Sequence, residues 1–171
     1  MVMGKDETRK DAGGQAVAHA VDVAAYILRQ RAPMTAMKLE KLVYYSFAWH
    51  LVWDEDELFP DRIEAWANGP VVPTLYRAHR GRFQLSGPED LGVGDPDALT
   101  PDERESIDIV LDSYGGKSAH WLSELSHRED PWRDARDGAN LGERQRGNVV
   151  IAPEAIHRYY DGLTGADSYE V

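Results

Sequence analysis

The chain has 171 residues, 42% of them hydrophobic, enough for one core and too few for two ordinary domains. Its net charge of -11 opposes unaided binding to phosphate backbones, where Lys and Arg supply the attraction, and would instead steer a basic partner. With no cysteine, disulfides, thiolate nucleophiles and cysteine-based zinc sites are excluded.

Residues 1–14 are charged and close on Gly13-Gly14, so they read as a disordered tail without the apolar stretch of a signal peptide. No later run is long enough to span a bilayer, and a soluble, cytoplasmic protein is expected. The folded domain is expected over 15–165, followed by a short tail over 166–171.

Val17, Ala20, Val21, Ala24, Ile27 and Leu28 recur at three- and four-residue steps and predict a first helix ending before Pro33. Thr35 is placed to cap a second helix in which Leu39, Leu42 and Val43 point inward. From Tyr44 to Trp53 that helix is apolar all round, which marks it as the central and most buried one. The acidic run from Asp54 to Glu57 sits badly at the negative end of a helix dipole and reads as a surface turn.

Ile63 to Ala67, broken by Asn68-Gly69-Pro70, suggests a short strand or strand pair, and Pro73 opens a brief helix. Residues 81–99 read as a long surface connection tolerant of insertions. Thr100 and Glu103 form a capping box for a helix whose buried stripe is Ile107, Val110, Leu111 and Tyr114. Ser118 caps the next helix, with Trp121, Leu122 and Leu125 expected inward, and Asp130-Pro131 starts another that Gly138 stops. Val149 to Ile151 suggests a short strand before a last helix carrying Ile156, Tyr159, Tyr160 and Leu163. The fold class is therefore mainly α: a compact, single-domain helical fold around a buried central helix, with a few short β-strands.

There is no P-loop, no GxGxxG after a strand, no HExxH and no GxSxG. The best catalytic cluster is His120, Ser123, Glu124, Ser126 and His127, the basis of an alternative reading as a small hydrolase or transferase. Chain neighbours on one short helix rarely have triad geometry; the plainer reading leaves His120 on the surface and His127 as a cation at a helix C-terminus. His19, His50, His79 and His157 show no ligand spacing, and neither a metal nor a cofactor is expected. Trp49, Trp53, Trp66, Trp121 and Trp132 read as core rather than as stacking platforms. Arg144-Gln145-Arg146 is a locally basic loop that either grips a carboxylate or phosphate or stays solvated.

Two motifs invite a binding role. Lys38, Lys41 and Tyr44 are spaced to share one strip of the second helix, either a partner site or a charged outer face leading into a buried seam. Gly69-Pro70-Val71-Val72-Pro73 combines glycine freedom with two stiffening prolines, which suits a rigid exposed ledge for docking and equally a structural corner.

Taken in order, Tyr26-Ile27-Leu28, Met37 through Tyr45, Glu64-Ala65-Trp66 with Gly69 through Pro73, Leu122 through His127, and Asp130-Pro131-Trp132 resemble the Panacea domain. That domain is found in SocA-like and phage-associated GepA-like antitoxins. The resemblance implies a type II antitoxin that neutralises a cognate, translation- or growth-inhibiting toxin by direct protein–protein contact. It implies no enzyme activity, and as an alternative mechanism an adaptor that delivers the toxin to a AAA+ protease. Partner binding is expected at Lys38, Lys41, Tyr44, Trp66, Gly69, Pro70, Val71, Val72 and Pro73, with Leu39, Leu42, His127, Pro131 and Trp132 as structural motif residues. Some family members add a DNA-binding module; the residues before the first helix are too few to form one, and no direct nucleic-acid or membrane contact is expected.

Overall fold

In a computed structural model that describes residues 17–169, and the side chains of 17–165, the fold has seven α-helices, the second of which is central. Helix α1 (Ala20–Arg31) buries Val23, Ala24, Ile27 and Leu28. Val17 was expected on this stripe but precedes the helix and is exposed. The tail expected over 1–14 lies outside the described residues.

Helix α2 (Ala36–Asp54) starts where Thr35 Oγ1 accepts the Lys38 backbone N–H at 3.1 Å, satisfying one orphan donor of the first turn. It ends at Glu55, whose φ of 54° is left-handed, so Glu55 to Glu57 turn away from the helix, while Asp54, expected in that turn, is its buried last residue. Between these caps Leu39, Leu42, Val43, Phe47 and Ala48 are buried on successive faces. α1, α4 (Pro101–Tyr114), α5 (Ala119–Arg128) and α7 (Pro153–Tyr169) all pack on it. An all-round apolar helix is stable only when enclosed in this way.

A small antiparallel sheet closes one flank. Strands β2 (Ile63–Trp66) and β3 (Gly69–Val71) form a hairpin with Ala67-Asn68 at its tip, in register Glu64 to Val71, Ala65 to Pro70 and Trp66 to Gly69. On its other side β2 pairs with β5 (Val150–Ile151) through Ile63 and Ile151. Helix α3 (Pro73–His79) follows the hairpin directly, with proline in its first turn.

The connection over 81–99 is more than a surface loop. Its β4 (Gln84–Leu85) pairs with β1 (Met34–Thr35), a 3-10 turn spans Pro88–Leu91, and Leu85, Leu91 and Leu99 are buried. Three leucines at about 1.5–3 kcal/mol each tie it to the core, so the expected tolerance to insertion does not hold across it. The Thr100 capping box is complete, with Glu103 N–H donating to Thr100 Oγ1 at 3.2 Å and Thr100 N–H to Glu103 Oε1 at 2.8 Å. α6 (Asp130–Gly138) follows α5 without a loop, and the backbone of α7 runs to Tyr169, into the stretch expected to be a tail. Among the described residues no helix is long and apolar enough to cross a membrane.

Candidate functional site: a clamped hairpin beside an open groove

The residues singled out in the sequence meet, but not as a surface strip. Lys41 and Glu40, adjacent on α2, are both buried under the β2–β3 hairpin. Lys41 Nζ donates to Pro70 O at 3.1 Å and approaches Met37 Sδ at 3.4 Å. Burial pushes its ammonium down to about 8. Glu40 Oε1 accepts the Val72 backbone N–H at 2.9 Å, and Oε2 accepts His79 Nε2 at 2.8 Å.

Three more side chains, from α5 and α6, reach the same hairpin. Ser123 Oγ donates to Asn68 O at 2.7 Å, Trp132 Nε1 to Trp66 O at 2.7 Å, and Arg136 Nη1 to Ala65 O at 2.8 Å. The hairpin is a short ribbon that is marginal alone. Side chains from α2, α5 and α6 bond backbone groups of this ribbon and so fix it to three helices.

The expected surface strip of Lys38, Lys41 and Tyr44 is therefore corrected. Lys41 and Tyr44 are buried, and Lys38 is half-buried with Nζ donating to Gly115 O at 2.6 Å, where a cation suits the C-terminus of α4. Tyr44 packs in an aromatic cluster and bonds Tyr160 at 3.0 Å, while Tyr160 and Tyr45 donate to the buried Glu129 at 2.8 and 2.6 Å. Burial raises the Glu129 carboxyl and all three phenols above their ordinary values. The ledge is corrected too: Gly69, Pro70, Val71, Val72 and Pro73 are all buried, because the hairpin is pressed onto α2 rather than projecting from it.

The serines of the catalytic candidate are engaged as hydrogen-bond donors to backbone, Ser123 to Asn68 O and Ser126 Oγ to Ser123 O at 2.8 Å. His127 lies in the last turn of α5, where a helix-end cation was expected. Its ring stacks on Trp132 at 4.0 Å between centroids, and burial pushes its imidazole below the ordinary value. Leu39, Leu42, Pro131 and Trp132 are buried, whereas Trp121, expected inward, is 40% exposed under Lys117. Among the described residues no group of three or more His, Asp or Glu is arranged to hold a metal.

What the hairpin presents to solvent is one wall of a groove of about 940 Å³. Trp66, Val71, Met37, Tyr76 and Phe83 supply its apolar surface, and Arg80, Arg82 and Arg146 also line it. Trp66 is held by Glu64 Oε1 at 2.8 Å and meets Tyr76 edge-on at 4.9 Å. Phe83 is 78% exposed. Of the residues expected to bind a partner, only Trp66 and Val71 line this groove. The residues missed are Arg80, Arg82 and Phe83, for which the locally basic run Arg77 to Arg82 in an acidic chain is the signal. Glu40 and Arg136 were missed as buried ions, because a charged residue carries no sequence mark of burial.

A family model described as antitoxin SocA-like, Panacea domain, matches residues 39–133, which is 95 of the 171 residues. The chain belongs to the SocA-like, Panacea-domain antitoxin family. Antitoxin SocA of Caulobacter vibrioides is 32% identical over 126 residues, spanning 64% of this chain and 65% of that protein, so just under two thirds of the relative is covered. No solved structure matches the chain. The Panacea match begins at Leu39, one residue before the Glu40-Lys41 pair, and ends at Arg133, one residue after Trp132, so it encloses most of the hairpin clamp.

Proposed function

We propose that this protein is an antitoxin that neutralises a cognate toxin by direct protein–protein contact, with the clamped hairpin and the groove beside it as the docking face. The observation that carries the reading is the convergence of Glu40, Lys41, Ser123 and Trp132, all inside the family-matched stretch, on the backbone of one hairpin. Five side chains fixing a short ribbon hold its outer face in one geometry, which lowers the ordering cost of association. Exposed Phe83 and half-buried Trp66 and Tyr76 are residue types enriched at protein–protein interfaces. The engaged serines and the absence of a catalytic motif favour a binding protein over an enzyme.

The test is co-expression with the product of the adjacent reading frame, scoring growth rescue and co-purification together. Rescue with a stable complex supports direct neutralisation. Rescue with loss of the toxin would replace it with delivery to a protease, and a neighbour that is harmless alone would remove the antitoxin reading.

A further inference from the structure

The groove inverts the sign of the molecule around it. The chain carries -11 overall, yet the groove is lined by three guanidinium groups, and the only carboxylate among its lining residues is Glu40. Both oxygens of Glu40 are committed, one to Val72 N–H and one to His79. Arg82 lies 3.6 Å from Asp90, while Arg80 and Arg146 have no ion-pair partner among the described residues. These cations come from two separate loops, residues 80–82 after α3 and residue 146 before β5. Between them lies apolar surface that includes Met37, Val71 and the exposed Phe83.

We propose that this groove receives an acidic peptide segment of the toxin, its carboxylates held by Arg80, Arg82 and Arg146 and a large apolar side chain seated against Phe83, Met37 and Trp66. The inference rests on the antitoxin reading above and adds the chemistry of what is bound. Guanidinium groups match carboxylates in paired hydrogen bonds, and an apolar floor rewards a side chain that a nucleic-acid backbone lacks. The apolar lining, not the charge, favours a peptide over polyphosphate, and the positive groove in an otherwise negative molecule is where an acidic segment is attracted, which sets the orientation of the complex.

The experiment immobilises the full chain and measures retention of two hexapeptide pools. One draws each position from Asp, Glu, Phe, Leu and Trp; the other replaces Asp and Glu with Lys and Arg. The acidic pool is expected to be retained and the basic pool not, although net charge alone predicts the reverse. Retention should fall about tenfold in Arg80→Glu/Arg146→Glu and in Phe83→Ala, and should weaken as salt is raised. All three positions are exposed, so an unchanged melting temperature is expected to accompany the loss. Preferential retention of the basic pool, or acidic retention that survives these substitutions, overturns the proposal. The same variants are scored for neutralising the adjacent-frame product. Full neutralisation by a variant that has lost peptide retention overturns this inference and leaves the antitoxin reading standing. Acidic retention by a wild-type chain that neutralises nothing overturns the antitoxin reading and leaves only the chemistry of the groove.

Discussion

A Cβ built on Gly69 would sit 2.6 Å from Lys41 Cε, so the lysine of one motif fills the space that the glycine of the other leaves open. Gly69 also has a φ of +122°, a conformation costly for any other residue. Gly69→Ala is expected to destabilise the fold by about 2 kcal/mol or more, from backbone strain and overpacking together. Urea unfolding checks this. In a double-mutant cycle with Lys41→Ala, the pair should lose less than the sum of the two single changes; simple additivity would deny the contact.

Lys41 makes stability depend on alkaline pH. Below about 8 it is charged in folded and unfolded chains alike, and the fold carries the full cost of burying the ammonium. Between about 8 and its ordinary value of 10.5 the unfolded chain binds the extra proton, so stability rises with pH, by about 3 kcal/mol across the window. The raised phenols of Tyr44, Tyr45 and Tyr160 act oppositely above their ordinary value near 10, and cancel when wild type is compared with Lys41→Met. Chemical denaturation at pH 7.5 and 10.5 should show wild type gaining on the variant; a constant difference would mean that Lys41 is not desolvated.

Glu40 holds the end of the hairpin and the last turn of α3 with one carboxylate. Glu40→Ala leaves the buried Val72 N–H and His79 without their acceptor and should cost about 3 kcal/mol or more. Amide exchange at Val72 reports this locally and should accelerate well before global unfolding.

Arg136 ties strand β2 to the loop that precedes β5. Its guanidinium donates to Ala65 O, to Gly142 O at 2.8 Å and to Gln145 O, a spread that a single ammonium cannot span. Arg136→Lys is expected to lower stability by about 2 kcal/mol and to loosen residues 142–147, which carry Arg146 into the groove. A reduced melting temperature with weaker acidic-peptide retention is the expected pair of results.

His120 and Glu124 are exposed, and no hydrogen bond to the hairpin involves either side chain. His120→Ala/Glu124→Gln should leave growth rescue unchanged to within about twofold. Abolished rescue in a folded protein would restore the hydrolase or transferase reading of the His120–His127 region.

Local chemistry written in the sequence was enough for the helices. Thr35 and Thr100 cap where side-chain oxygen meets an orphan N–H, and a run apolar on all sides from Tyr44 to Trp53 can only be enclosed. The ordered motifs likewise marked the Panacea family. Tertiary structure alone decided what those motifs do. Burial of Glu40, Lys41 and Arg136 is offset by hydrogen bonds that include backbone groups 32, 29 and 71 residues away respectively, and no local pattern distinguishes such a residue from a solvated ion. The groove is likewise a tertiary fact, since Arg80 and Arg146 share it only because β5 pairs beside the hairpin and α3 follows it.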